Sequence, residues 1–142
     1  MQSSTACTVR LIHQTDETFD LDDHSMDVAC AYSVYTHMEH EDMYRYLLQF
    51  KRIIRPGGRF VISCLPMTLA AAQHVFRMEA ALDPSTRWTR VRNVTTSVDL
   101  VNEIAAMSGW TVVRWLPGDQ GQAPSTSGEL RSLGQSIVVL TY

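Results

Sequence analysis

Between Asp27 and Leu65 the hydrophobic positions change rhythm twice. Val28, Ala29, Cys30, Ala31 and Tyr32 make a short, nearly continuous apolar run, and Phe60, Val61, Ile62, Ser63, Cys64 and Leu65 make a second. Runs that are apolar toward both sides fit strands buried on both faces, the habit of parallel sheets. Between them Met43, Leu47, Phe50 and Ile54 recur at helical spacing, with Glu41, Asp42, Arg45, Gln49 and Arg52 on the other faces. Glu41 and Asp42 near the start, and Arg52 and Arg55 near the end, suit the helix dipole. Arg55-Pro56-Gly57-Gly58 then ends the helix, because proline cannot continue it and glycine can take the positive φ of a sharp reversal. The pattern predicts strand, loop, helix, turn and strand: a β-α-β crossover.

The flanks are read from this unit outward. Thr8 to His13 is short, β-branched and alternating, which predicts a strand, and the acidic loop from Gln14 to Ser25 follows it. Thr68 to Leu82 is alanine-rich and predicts a helix with Leu69, Ala72, Phe76 and Ala80 near one face. Asp83-Pro84-Ser85-Thr86 breaks that helix, and residues 86–95 read as irregular or weakly extended. Thr96-Ser97 predicts an N-cap for a helix carrying Val101, Ile104 and Ala105 that closes at Gly109. Trp110 to Leu116 and Ser136 to Thr141 predict the last two strands, joined by a Gly-, Ser-, Gln- and Pro-rich loop from Gln120 to Gly134. No internal repeat or linker divides the chain, so residues 1–142 read as a single domain.

Composition narrows the class. The chain has 142 residues, 45% of them hydrophobic, enough for one core. No apolar run approaches the ~20 residues of a membrane helix. The N-terminus lacks the basic segment and apolar core of a signal peptide. Cys7, Cys30 and Cys64 have no metal-ligand spacing, and Cys30 and Cys64 lie in apolar runs, so they read as buried free thiols in a reducing cytoplasm. The net charge of −3 is unevenly spread: residues 1–44 hold nine acids and one base, residues 45–142 six acids and eleven bases. That acidity argues against a nucleic-acid binder, leaving Arg87, Arg90 and Arg92 around Trp88 as the one local candidate for a phosphate or carboxylate contact. The DLDDHS segment lacks the glycine and glutamate of a calcium loop.

The stretch DLDDHSMDVACAYSVYTHMEHEDMYRYLLQFKRIIRPGGRFVIS resembles the middle of class I S-adenosylmethionine-dependent methyltransferases. RPGG placed between SMDVA and SGWTVV, and the ending TVVRWLPG then LGQSIVVL, are similar to the family's last strands. The resemblance covers residues 8–142. It implies an α/β, Rossmann-like fold, a partial class I methyltransferase sheet that is mostly parallel with an antiparallel last strand. It implies S-adenosylmethionine as cofactor, a small-molecule acceptor, no nucleic acid and no membrane partner. The family's glycine-rich cofactor loop has no counterpart, since all seven glycines fall at or after Gly57. The chain therefore resembles the C-terminal portion of the fold, with an incomplete cofactor site. Its strand at Asp27–Tyr32 becomes an apolar edge, to be covered by a second copy, an N-terminal partner polypeptide or residues 7–13.

The resemblance also assigns roles. Asp16, with Glu17 as the alternative register, stands where the family contacts the adenine amino group. Ser33 and Val34 follow the strand that lines the cofactor side of the methyl-transfer face, and Tyr35 faces substrate. His37, at the loop-to-helix junction, is the candidate general base, since imidazole titrates near neutral pH. His37 and His40 could suggest a metal pair, but no further ligands accompany them; Asp27 reads as fixing the strand's start and His74 as a core or surface residue. The function expected is methyl transfer to a small molecule, completed by a missing N-terminal segment or partner. The alternative is a non-catalytic remnant or interaction module without cofactor binding. An NAD-type oxidoreductase lacks its glycine fingerprint.

Overall fold

The computed structural model describes residues 8–15 and 18–142. Its central sheet has four strands in the order β1-β2-β6-β3, where β1 is Met26–Ala31, β2 Ile54–Cys64, β3 Thr111–Leu116 and β6 Ser136–Thr141. β1 and β2 are parallel, and β6 runs antiparallel to both β2 and β3. Three strands thus share one direction and the last strand opposes them. The crossover from β1 to β2 is made by α1, His40–Ile53.

The sheet is covered by helices on one face. α1 packs against β2 and against α4, Val98–Met107. Phe60, Ile62 and Cys64 of β2, with Val138 and Leu140 of β6, face Met43, Leu47, Val101 and Ile104 in one buried cluster. Phe60 is fully buried, its ring stacked 4.1 Å from Phe50 and tilted against Trp110 at 5.9 Å. Trp110 donates its indole N–H to the Leu47 carbonyl at 2.9 Å, so the start of β3 is tied to the middle of α1. Ser97 caps α4 by accepting from Leu100 N–H, as its place before the apolar pattern predicts.

The other sheet face corrects the expectation that β1 is buried on both sides. Val28 and Cys30 point there and are exposed, Val28 by 55%. Val61 and Val139, which share that face by register, are half-buried. β1 is also the edge of the sheet, with no strand on its outer side among the described residues. Residues 8–15 form no strand; Val9 and Leu11 lie 76% and 92% exposed, because an alternating pattern without a pairing neighbour has no ladder to join.

The Pro-Gly-Gly turn is tighter than a loop between elements. The helix ends at Ile53 and the chain enters β2 at once. Met26 pairs with Ile54 and Val28 with Arg59, so residues 55–58 bulge opposite Asp27 alone. Gly57 has φ +78°, and a Cβ at Gly58 would meet the Asp27 carbonyl at 2.7 Å. Before β1, the acidic loop is held by Arg52, whose guanidinium donates to the carbonyls of Phe19 and Leu21, both at 2.7 Å, and to Asp23 at 2.8 Å.

Three further boundaries differ from the pattern. The segment after Asp83 forms a short helix, α3, Pro84–Trp88, because Asp83 accepts from Ser85 N–H and proline occupies the first turn. The buried positions of α2, Ala70–Ala80, are Ala72 and Glu79, whereas Phe76 is 51% exposed. The 120–134 loop contains a small hairpin of β4, Ala123–Pro124, and β5, Leu130–Arg131.

The two described cysteines are chemically unlike. Burial pushes the Cys64 thiol up to about 12, whereas Cys30 is exposed. Iodoacetamide at pH 8 is expected to modify Cys30 in the native protein and Cys64 only after denaturation, as read by peptide mass mapping. Equal native labelling would contradict the packing of β2. Because the folded value lies above that of the unfolded chain, this thiol's contribution to stability is intact below the ordinary thiol range. It is lost as pH rises toward about 12.

Candidate functional site

The carboxyl ends of β1 and β2 lie side by side, and the chain leaves β1 there through Tyr32, Ser33 and Val34 into a 3-10 turn at Tyr35–His37. Ser33 has φ +56°, a left-handed conformation uncommon in a non-glycine residue and favoured here by bonds from outside the loop. Ser33 N–H donates to Ser63 Oγ at 2.7 Å, Ser63 Oγ donates to Gln135 Oε1 at 2.7 Å, and Gln135 Nε2 donates to Ser33 Oγ at 3.1 Å. This closed ring joins β1's exit, the end of β2 and the residue before β6. Tyr32 adds a bond from its hydroxyl to the Leu133 carbonyl at 3.2 Å. Nothing in the apolar pattern marked Gln135 or Ser63; their signal is topological, both sitting where β2 and β6 meet.

The turn is tied on its other side to residues 92–96. Val94 N–H donates to the Thr36 carbonyl at 2.7 Å, and His37 Nδ1 lies 2.9 Å from the Arg92 carbonyl. A carbonyl can only accept, so His37 donates from Nδ1 and leaves Nε2 outside that bond on an exposed ring. His40 turns elsewhere, its Nε2 3.2 Å from Thr96 Oγ1, so the two histidines do not converge. His74 is exposed on α2.

Tyr35, expected toward substrate, is turned into the core. It is 3% exposed, its ring edge-on to Phe60 at 6.0 Å, and its hydroxyl has no hydrogen-bond partner among the described residues. Burial first, and Tyr46 second, push its pKa well above the ordinary phenol range. Val34 is 40% exposed, beside Ser33. The expectation at Asp16 and Glu17 lies outside the described residues.

A charged cluster borders the turn. Arg92 donates to Glu39 at 2.8 Å, and its guanidinium lies 4.4 Å from the Trp88 ring centre. Glu79, 8% exposed, accepts from Arg90 at 2.5 Å and from the Asn93 side chain and backbone at 2.8 and 3.2 Å. The Asn93 side-chain amide chiefly, with its backbone N–H and Arg90, holds the Glu79 carboxyl below the usual carboxylate range despite burial. The sequence singles out the arginines but not Glu79, whose one signal is its position seven residues, two helical turns, after Ala72.

These residues can position an acceptor and take a proton; they do not build a cofactor cradle. The N–H and Oγ of Ser33 are engaged within the protein, and the described residues before Gly57 contain no glycine to bring backbone N–H groups close to a cofactor. Among the described residues no three His, Cys, Asp or Glu side chains are grouped to hold a metal ion.

Residues 2–62 match a family model described as a methyltransferase domain. No curated protein matches the chain by sequence. Solved structures with the same fold include a possible histamine N-methyltransferase from Thermotoga maritima, 17% identical, with a TM-score of 0.64, over 94% of this chain and 64% of that one. An S-adenosylmethionine-dependent methyltransferase from Methanosarcina mazei is 9% identical, with a TM-score of 0.58, over 90% and 64%. A Burkholderia thailandensis 1,6-didemethyltoxoflavin N1-methyltransferase with bound S-adenosylhomocysteine is 16% identical, with a TM-score of 0.52, over 86% and 46%. The chain thus spans less than two thirds of the length of each of these structures.

Proposed function

Because this chain has the fold of the class I S-adenosylmethionine-dependent methyltransferases, with residues 2–62 matching a methyltransferase-domain family model, we propose that it supplies the acceptor-side wall of a methyl-transfer site for a small molecule. The observation that carries the reading is the loop from Tyr32 to Glu39, which leaves the carboxyl end of β1, where open α/β sheets bind their ligands. S-adenosylmethionine, when bound, supplies the electrophilic methyl group. The residues of this chain do the rest of what is assigned here. The Ser33–Ser63–Gln135 ring fixes the wall, with Ser33 and Val34 toward the cofactor side. His37 Nε2 takes the proton that an acceptor O–H or N–H loses as its oxygen or nitrogen gains the methyl. Asp16 or Glu17 is assigned to the adenine amino group.

The cofactor's cradle is assigned to a segment outside residues 1–142 or to a partner chain that pairs with the edge of β1. The half-open sheet face at Val28, Cys30 and Val61 supports this, since a helix-bearing partner would cover it. A second copy is the other occupant of that edge. The compartment assigned is the cytoplasm; no described helix is long and apolar enough to cross a membrane.

One observation favours the alternative, a methyltransferase-like interaction module: no glycine precedes Gly57. Calorimetric titration of S-adenosylmethionine separates the readings. Micromolar binding is expected once a segment carrying a glycine-rich turn is supplied in cis or in trans, with weak or no binding to residues 1–142 alone. No binding in either arm, with the chain folded, leaves the interaction module.

A further inference from the structure

A cleft of about 280 Å³ lies between the start of α1, α2 and the segment after α3; Glu39, Phe76, Glu79, Arg87, Arg92 and Val94 are among its lining residues. Ligand pockets run from roughly 300 Å³ upward, so this one suits a compact occupant. Three of its lining side chains each carry a buried polar atom without a hydrogen-bond partner among the described residues: Arg87 Nε, Arg92 Nε and Glu79 Oε2. Folded proteins leave few buried polar atoms unpaired, and here two cationic donors and one anionic acceptor belong to side chains that line one cleft.

The charges say what would pair with them. Arg92 is matched to Glu39 and Arg90 to Glu79. Arg87 has no carboxylate partner among the described residues; its guanidinium lies 5.4 Å from the centre of the Trp88 ring. Three guanidiniums against two carboxylates leave one positive charge, which a single carboxylate neutralises. The guanidinium fork matches a carboxylate's geometry, and its N–H bonds to an anion are stronger than neutral ones. Glu79 Oε2 accepts from an N–H or O–H, and Phe76, Ala80 and Val94 offer an apolar wall. We propose that this cleft is the acceptor subsite and that it binds a small organic carboxylate bearing an N–H or O–H donor. Its role as acceptor subsite rests on the methyl-transfer reading, and the link is His37, bonded to the main chain of Arg92 at the cleft's edge.

The test is binding, read without cofactor or turnover. Hydroxybenzoate, aminobenzoate and lactate are titrated by calorimetry, with NMR of the arginine Nε–H and Trp88 indole signals, alongside hydroxybenzamide and inorganic phosphate. At least one carboxylate is expected to bind saturably, shifting the Arg87, Arg92 and Trp88 signals, with the carboxamide about tenfold or more weaker. Arg87→Gln is expected to lower carboxylate affinity about tenfold and erase the preference over the amide. Should that variant lose its fold, Arg87→Lys keeps the charge without the fork and is expected to bind at an intermediate level. Equal binding of acid and amide, tighter binding of phosphate, unchanged affinity in Arg87→Gln, or no carboxylate bound at millimolar concentration overturns the proposal. Carboxylate binding without cofactor binding in the completed protein leaves the site standing and removes methyl transfer; the reverse result removes the subsite alone.

Discussion

Phe60→Ala is expected to cost about 3–5 kcal/mol of folding stability, the usual range for removing a buried aromatic ring. Phe60 is fully buried and joins the elements that matter most. Its backbone pairs with Ala29 of β1 and Leu140 of β6, and its ring meets Phe50 of α1, Tyr35 of the site loop and Trp110 at the start of β3. Truncation removes contacts from all of these together, and a sheet pinned by backbone bonds cannot collapse into the space. For a chain of this size the loss lowers Tm by about 10–17 °C. Met107→Ala, at a side chain 69% exposed on α4, is the control and is expected to stay within about 0.5 kcal/mol. Comparable urea-melt midpoints for the two variants would refute the placement of the core. Because domains are stable by only about 5–15 kcal/mol, Phe60→Ala also stands to thin the folded population.

Phe60 was legible before any coordinates, and the reason is physical. β2 and β6 carry their apolar residues in uninterrupted runs, and a strand flanked on both sides must bury one full face whatever its neighbours do. β1 carries the same kind of run and was misread for the same reason. Burial on both faces requires a partner on the second, and a run of residues cannot say whether one is present. Val28 and Cys30 are therefore exposed although the sequence around them reads as interior. Thr8 to His13 fails similarly: alternation suits a strand, but strands are made by pairing.

The site was legible in outline only. The place of the loop after β1, at the carboxyl end of the sheet, is legible because helix-start signals and strand ends bracket it. Tyr35 is expected at the substrate side, but an aromatic side chain next to a loop can turn outward or inward, and here Phe60 provides an inner surface for its ring. Glu79 was invisible because a glutamate on a helix reads as solvated. Only the return of residues 90–93 across α2 surrounds it with Arg90 and Asn93. The ring of Ser33, Ser63 and Gln135 links positions 30 to 102 residues apart and has no local signature.

His37 offers the largest effect on chemistry. In the completed protein, His37→Ala is expected to lower kcat about 10²–10⁴-fold for an acceptor that must lose a proton, the range general-base groups contribute. The same imidazole also anchors the turn through its Nδ1–H to the Arg92 carbonyl, so alanine alone confounds two roles. Asparagine separates them. Its side-chain N–H₂ can donate to that carbonyl but offers no basic lone pair, so His37→Asn keeps the anchor and loses the base. If proton removal is the role, the asparagine and alanine variants fall together in kcat. Both then lose much less with an acceptor already ionised at the assay pH, since that nucleophile needs no base. If anchoring is the role, asparagine restores activity, and alanine raises KM for ionised and un-ionised acceptors alike because the loop that positions both has loosened. The tautomer makes these patterns exclusive: with Nδ1 committed to the carbonyl, any base chemistry on this ring falls to Nε2, the atom asparagine cannot replace.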